Sequence, residues 1–273
     1  TGMILRMSAS AALACAVATA ALAGGIVIDH TNFDPSGLPQ ETMNEVGQLR
    51  IYFAHASVGG NMVAGMNDLH GADATRYQLL CPDEDDTPPA TTVPGNLYHY
   101  MRGNPGWAAK ISTFETYLAN GWGSGKVDAA MNKFCYIDEE ADLDTYTSSM
   151  ASQEALYPET RLVYMTIPLM TSCGYDGYQR QLFNEGLRSW CAAEGKVLFD
   201  IADIEAWSPE GVEQTETYSG HVCQVMYEGY TLDGGHLLRT STEAIVSRLP
   251  VPDGRAVTSA VTTTITLAML GGL

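Results

Sequence analysis

Residues 49–60 read LRIYFAHASVGG, an apolar stretch that runs into a serine and two glycines. The first six residues are apolar apart from Arg50, which is typical of a strand buried inside a parallel sheet. In the residues that follow, Val63, Met66 and Leu69 recur at the spacing of one helix face. A buried strand followed directly by an amphipathic helix predicts an α/β fold.

The same alternation continues along the chain. Further strands are predicted at residues 129–137, 161–167 and 196–201, and further helices at residues 107–118, 178–193 and 236–249. Loops are predicted at residues 81–95 and 208–231. We therefore predict one domain over residues 24–250, a three-layer α/β/α sandwich around a central parallel sheet.

The composition favours a folded, strongly acidic protein. Of 273 residues, 45% are hydrophobic, which is enough for a sizeable core. The chain has 14 Lys and Arg against 32 Asp and Glu, a formal net charge of -18. This charge repels nucleic acid and anionic membrane surfaces. The acidic run at residues 83–86 is interpreted as a solvated loop, because no glycine-centred calcium loop accompanies it.

Residues 1–23, in which Thr1 and Gly2 are a leader remnant, are typical of a signal peptide. Arg6 is followed by an uncharged, alanine-rich run that ends in a small-x-small pattern at residues 21–23. A membrane anchor is the alternative, but the run is short and weakly hydrophobic for a spanning helix. We therefore expect export to the periplasm, the cell surface or the medium.

Residues 251–273 form a second unusual segment. The sequence VPDGR is followed by a charge-free run rich in Thr, Ala and Leu. It resembles the beginning of a bacterial C-terminal sorting tail without its basic cluster, which would associate the protein with the cell envelope. A docked C-terminal segment is the alternative, and the sequence does not decide between them.

The cysteines leave the disulfide pattern open. With Cys15 in the predicted signal peptide, five remain, so at least one is free or pairs outside the chain. No Cys-x-x-Cys pair occurs and the histidines are scattered, so no metal site is predicted. No cofactor is implied, and the oligomeric state is not indicated.

Ser57 follows the first strand, at the start of the next helix. Catalytic groups of open α/β sheets collect at the carboxyl ends of the strands, and the backbone N–H groups of a helix start face any anion formed there. A serine at this place is also a common helix N-cap. On local sequence alone, the N-cap explains Ser57 better than a nucleophile does.

The sequence Asp233-Gly234-Gly235-His236 changes this interpretation. An Asp-x-x-His spacing lets the carboxylate turn back onto one imidazole nitrogen while the other nitrogen faces a serine. The two glycines permit the tight turn. Each of these residues alone is compatible with a plain turn. A strand-end serine followed late in the chain by Asp-x-x-His points to a triad of Ser57, His236 and Asp233.

In these two segments the chain resembles the SGNH (GDSL-type) serine hydrolases, in a divergent branch. Residues 55–59 (HASVG) stand where that family has Gly-Asp-Ser, and residues 233–236 stand where it has Asp-x-x-His. Residues 132–138 (NKFCYID) and 230–237 (YTLDGGHL) extend the resemblance, which spans residues 49–249. The resemblance implies a flavodoxin-like topology and an esterase activity that uses the triad.

The resemblance does not supply a full set of oxyanion donors. The family's donor Asn after the third strand has no match here, and Cys135 or Tyr136, which stands near its place, offers no carboxamide. Gly103 and Asn104, in a loop before a helix, are the candidate donors, and Asn104 offers a side-chain N–H. His55 and Lys133 are candidates for residues near the site. Their alternatives are a buried histidine and a lysine extended along the surface at a sheet edge.

The sequence thus predicts a secreted serine esterase, which acts on an ester such as a short acyl group on an extracellular carbohydrate. The expected partner is a small-molecule or glycan ester. One alternative is a non-catalytic carbohydrate-binding or cell-surface protein with the same fold. A second is a peptidase or thioesterase that uses the same triad.

Overall fold

A computed structural model describes residues 25–237 of the chain. The predicted signal peptide at residues 1–23 and the tail at residues 251–273 lie outside the described residues. Of the last helix, predicted at residues 236–249, only residues 236 and 237 are described. These two residues are not helical, and Leu237 forms an isolated bridge with Thr231. Within the described part, no helix is long and apolar enough to span a membrane.

Six parallel strands form the central sheet. They are β1 (Ile26–Ile28), β2 (Arg50–His55), β3 (Asn96–Met101), β4 (Ala129–Asn132), β5 (Arg161–Met165) and β6 (Val197–Phe199). Across the sheet the order is β1-β6-β5-β4-β2-β3. Strand β2 is therefore an interior strand, and its carboxyl end lies between those of β3 and β4.

Helices cover both faces of the sheet. They are α1 (Gln40–Val46), α2 (Val58–Ala72), α3 (Trp107–Tyr117), α4 (Leu143–Leu156), α5 (Gly174–Glu194) and α6 (Ile201–Ala206), with short helical turns at Pro35–Gly37, Leu118–Trp122 and Glu228–Tyr230. Alternate residues of β2 divide between the faces. Ile51 and Phe53 pack with α1, α2 and α6, whereas Tyr52 and Ala54 pack with α3, α4 and α5. The predicted three-layer sandwich with a parallel sheet is confirmed at this level.

Two differences from the prediction matter for the site. The strand predicted at residues 129–137 ends at Asn132, and the chain then turns across the edge of the sheet. Phe134 and Cys135 remain buried in this loop, which explains the apolar run without strand pairing. The loop predicted at residues 208–231 contains an antiparallel hairpin, formed by β7 (Thr215–Tyr218) and β8 (His221–Gln224).

The edge strand β3 is covered by the loop predicted at residues 81–95. The backbone N–H of Asp85 donates to the carbonyl of His99, and the carboxylate of Glu84 accepts from the N–H of Met101. These bonds occupy groups that an uncovered edge strand would offer to another chain. The acidic run within this loop is exposed, as predicted.

One disulfide, between Cys173 and Cys223, joins the loop after β5 to strand β8. Among the described residues, Cys81, Cys135 and Cys191 are free. The expectation of an unpaired thiol is therefore met, and the hairpin is fastened covalently to the segment that precedes α5.

Candidate active site

Ser57 occupies a tight turn between β2 and α2. Its backbone has φ 50° and ψ -112°, a conformation that residues other than glycine rarely adopt. The turn is closed by backbone bonds from Gly59 to Ala56 and from Gly60 to Ser57. A Cβ added to Gly59 would lie 2.4 Å from Cβ of His55, so this close approach requires glycine. The local sequence thus holds Ser57 in a strained turn at the carboxyl end of β2.

The hydroxyl of Ser57 meets His236 and does not cap the helix. Oγ of Ser57 lies 2.5 Å from Nε2 of His236, and the side chain makes no capping hydrogen bond to α2. On the other side of the imidazole, Nδ1 lies 2.7 Å from Oδ2 of Asp233. The structure therefore brings together all three residues of the predicted triad, in the order that nucleophile, base and orienting acid require.

A tight turn fixes Asp233 relative to His236. Oδ1 of Asp233 accepts from the backbone N–H of Gly235 at 3.0 Å and from that of His236 at 2.8 Å. The backbone bonds, followed by the bond to the imidazole, hold the pKa of Asp233 well below its ordinary value. Because the carboxylate stays ionised, it keeps the proton of the imidazole on Nδ1. Nε2 is then free to accept the proton of Ser57.

Two neighbouring loops hold the turn that carries His236. The ring of Tyr136 lies edge-on to the imidazole, with centroids 5.5 Å apart and planes at 81°. It also packs on Gly235, where an added Cβ would come within 2.9 Å of the ring. From the loop after β5, the backbone N–H of Thr171 donates to the carbonyl of Gly234 at 3.0 Å. Tyr136 and Thr171 are therefore positioning residues for the base.

Backbone N–H groups are available beside Ser57. The N–H of Arg102 donates to the carbonyl of His55, which carries Gly103 to the same edge of the sheet as Ser57. Within the described part of the chain, the backbone N–H groups of Ser57 and Gly103 have no acceptor. Unpaired donors next to a nucleophile are the groups that stabilise an oxyanion.

Asn104 follows Gly103 in this loop and is exposed. Its Oδ1 accepts from Nζ of Lys110 at 2.8 Å. Lys110 is fully buried and is paired with Asp138. Because an ammonium group can only donate, Lys110 fixes the carboxamide by its oxygen and leaves Nδ2 as a free donor. Asn104 thus offers the side-chain N–H that the segment after β4 lacks.

Buried polar groups brace the loop after β4. Nζ of Lys133 donates to the carbonyl of Phe134, Arg102 donates to the carbonyl of Lys133, and the N–H of Cys135 donates to Asp138. Lys133 is fully buried, so it does not extend along the surface as the alternative predicts, and its backbone N–H donates to the carbonyl of Ala54 near the end of β2. Cys135 is also buried with its N–H already bonded. The structure does not place it among the oxyanion donors.

A buried carboxylate, Glu205, supports the loop after β5. One of its oxygens accepts from the N–H of Leu169 at 2.6 Å, and the other is buried without a partner among the described residues. Burial raises the pKa of Glu205 and lowers the pKa of nearby Lys133. The loops that carry the site therefore rest on a poorly solvated layer, where each polar contact has a large effect.

His55 lies beneath the nucleophile turn. Its side chain is fully buried, and its Nε2 lies 3.2 Å from Nδ1 of His99. Burial, with smaller effects of His99 and Lys133, lowers the pKa of His55 to about 2. Burial also lowers the pKa of His99. Both rings are neutral at pH 7, and His55 supports the turn by packing against Gly59, as the buried-histidine alternative predicts.

Among the described residues, Asp29, His30 and Asp203 form a group whose ligand atoms lie within 4.8 Å of one another, close enough to hold a metal ion. Nδ1 of His30 is bonded to Asp203 at 2.5 Å. Asp29 and His30 follow β1, which lies four strands from β2, or about 19 Å away at about 4.8 Å per strand, and Asp203 lies in α6. A cleft of about 670 Å³, lined by residues such as Asp128 and Lys196, lies at the amino ends of the strands. Neither feature is part of the triad.

No protein-family model matches this chain, and no curated protein matches it. The resemblance to SGNH hydrolases stays a prediction from short motifs.

Sequence reasoning missed the residues that hold the site in place. The burial of Lys110 could have been predicted, because Lys110 shares a helix face with the apolar residues Trp107, Ile111 and Phe114. The role of Tyr136 could not, because its contact with the imidazole depends on how two distant loops meet.

Proposed function

We propose that this protein is a serine esterase. The observation that carries the proposal is the continuous chain of hydrogen bonds from Oγ of Ser57 through His236 to Asp233, at 2.5 Å and 2.7 Å. A serine that only capped α2 would need neither a strained backbone nor a histidine partner.

In the proposed reaction, Nε2 of His236 takes the proton of Ser57 as Oγ bonds to the ester carbonyl carbon. Negative charge develops on the carbonyl oxygen, where the N–H groups of Ser57 and Gly103 and Nδ2 of Asn104 are the proposed donors. The ester C–O bond then breaks, and His236 returns the proton to the leaving alcohol. Water releases the acyl group by the same steps, and Asp233 orients the imidazole throughout.

The strand order supports the proposed kinship with SGNH hydrolases. With β1 set aside, the sheet reads β3-β2-β4-β5-β6, which corresponds to the order 2-1-3-4-5 of flavodoxin-like folds. Ligands of such sheets bind where the order reverses, between the strands that correspond here to β2 and β4. Ser57 follows β2, so the proposed nucleophile lies at this switch point.

We further propose that the substrate is a short acyl ester on an extracellular carbohydrate and that the protein acts after export. A net charge of -18 disfavours polyanionic substrates. Thioesters and amides are the other substrates that such a triad serves, and direct comparison of the three classes separates them.

Hydrolysis of p-nitrophenyl acetate and butyrate by the purified protein tests the proposal. Ser57→Ala and His236→Ala should each lower kcat/KM by at least about 10³-fold, and the double variant should lose little more, because the two groups act as one unit. Ser172→Ala, in an exposed loop near the site, is the matched control. It should change kcat/KM less than about twofold, since its exposed side chain makes no contact with Ser57, His236 or Asp233.

A folded wild-type protein that hydrolyses no ester of either chain length would reject the esterase and favour the non-catalytic alternative. Faster turnover of matched amides or thioesters would instead move the proposal to a peptidase or thioesterase.

A further inference from the structure

We propose that an aromatic surface on the β7–β8 hairpin and the start of α5 binds a glycan chain that carries no negative charge. This surface, the aromatic platform, consists of Tyr175, Tyr178, Tyr218 and His221. That the bound glycan also carries the ester rests on the proposed function. The binding itself does not.

The rings of the platform form a stepped surface. Tyr178 stacks on His221 with centroids 4.5 Å apart and planes at 27°, and the ring of Tyr218 lies 6.5 Å from that of Tyr178. Tyr175, three residues before Tyr178 and therefore on the same side of α5, is 56% exposed. Sugar rings present flat C–H faces that stack on aromatic rings, and tyrosine hydroxyls bond to sugar hydroxyls.

Contacts outside the central sheet hold the platform in one conformation. Beneath it lies a small apolar cluster around the Cys173–Cys223 disulfide. The N–H of Cys173 donates to Glu216, and that of Gln224 donates to Gln181 of α5. A two-stranded hairpin alone is marginally stable, so this anchoring indicates a surface kept in one shape. Long, well-fixed insertions of this kind are commonly binding elements.

The loop that leads into the platform contacts the turn that carries His236. Thr171, which holds the carbonyl of Gly234, lies two residues before Cys173. The N–H of Met226, just after the hairpin, donates to the carbonyl of Met170. The loop that positions the catalytic turn thus continues directly into the platform, so a chain molecule bound there can extend toward Ser57.

The charge and the area of the platform indicate which kind of molecule binds there. The hairpin contains no Lys or Arg, whereas Asp176 follows Tyr175 and Glu216 precedes Tyr218 by two residues, and the chain carries -18 overall. Uronic polymers, nucleic acid and anionic lipid are therefore repelled. Tyr178 and Tyr218 are partly covered already, so the platform offers less than the roughly 800 Å² per partner that a standard protein interface buries. An uncharged or amino-bearing glycan fits both constraints.

The test measures binding to the full chain carrying Ser57→Ala, so that no ligand is consumed. Affinity electrophoresis and calorimetry would compare xylan as the neutral glycan, chitosan as the amino glycan and alginate as the anionic one. In this background, Tyr175→Ala and Tyr178→Ala should each weaken binding of xylan or chitosan at least about tenfold, as loss of a stacking anchor does. Leu156→Ala, 65% exposed on α4, is the control and should change binding less than about twofold.

Tyr175→Ala keeps the test decisive if Tyr178→Ala unfolds, because Tyr175 is the more exposed ring. No binding of either xylan or chitosan, binding unchanged by Tyr175→Ala, or a preference for alginate would each overturn the proposal. Self-association that Tyr175→Ala abolishes would assign the surface to a second copy of the chain instead. Parallel assays of the wild type with p-nitrophenyl acetate show separately whether the esterase proposal fails.

Discussion

At the scale of single residues, Ser57 has a conformational cost that its proposed chemistry explains. Among the described residues, Ser57 and Ser219 are the non-glycine residues with positive φ, 50° in each case. Ser219 lies in the two-residue hairpin turn, where positive φ is ordinary. Ser57 lies between a strand and a helix, where a strained backbone costs on the order of 1–3 kcal/mol and is typical of functional sites.

This strain predicts that, at position 57, a glycine variant is more stable than an alanine variant. Ser57→Gly and Ser57→Ala should both be inactive, but the glycine variant should be more stable than the alanine variant by about 1 kcal/mol, because only glycine adopts this backbone without strain. Urea unfolding measures the difference. At Ser172, which does not have positive φ, the same pair should show glycine equal to or less stable than alanine. An alanine variant as stable as the glycine variant at position 57 would contradict the idea of strain.

The sequence was sufficient to predict the three residues of the proposed triad, but not the residues that hold them in place. Ser57 and His236 each sit in a short motif whose geometry is local, a strand-end turn and an Asp-x-x-His turn. By contrast, the bond from Lys110 to Asn104 spans two elements, and so does the packing of Tyr136 on the imidazole. Contacts of this kind depend on tertiary packing, which no sequence period encodes.

At the scale of elements, segments with a clear apolar run or helical stripe were predictable, and segments without one, such as β3 and α4, were not. Strand β2 and helix α2 follow one apolar run and one helical stripe, so their periods are clear. Strand β1 has three residues, too few for a period. Helix α4 buries few side chains, among them Tyr146 and Met150, so its stripe is faint. The hairpin was missed because its strands are mostly exposed and depend on a disulfide that the sequence left open.

The disulfide predicts a link between the hairpin and the site. Because it closes a sequence separation of 50 residues, the double variant Cys173→Ser/Cys223→Ser should lose about 2–4 kcal/mol in free energy of unfolding. Ester turnover should fall as well, since the same loop carries Thr171. Urea unfolding and p-nitrophenyl acetate assays measure the two effects, and Cys81→Ser, a free cysteine, is the control. Unchanged stability of the double variant would show that the hairpin holds without the bond.

At the scale of the whole molecule, the buried histidine pair couples stability to pH. His55 and His99 are neutral in the folded protein, and burial lowers the pKa of both. Above pH 6.5, the pKa of an unfolded histidine, a histidine whose pKa falls on folding does not lower the free energy of unfolding. Below that pH the unfolded chain binds a proton that the folded chain refuses, so stability falls as the pH falls.

We therefore expect the free energy of unfolding to decrease between pH 7 and pH 5. His55 alone should contribute about 2 kcal/mol of this decrease, at about 1.4 kcal/mol per pH unit below 6.5. The double variant His55→Leu/His99→Leu should show a smaller decrease, whereas His221→Gln, on the surface, should behave as the wild type. Urea unfolding at the two pH values makes the comparison. Equal decreases in the wild type and the double variant would exclude the buried pair as the cause.

The separation of Ser57 and His236 along the chain has a consequence for folding during synthesis. The two residues are separated by 179 positions, and the bond between them is among the longest-range contacts of the fold. During synthesis the nucleophile emerges long before its base, and pairing of parallel strands distant in sequence is slow compared with local structure. In the proposed function, the nascent or unfolded chain therefore cannot hydrolyse an ester. The proposed activity begins only when the turn that carries His236 has docked beside Ser57.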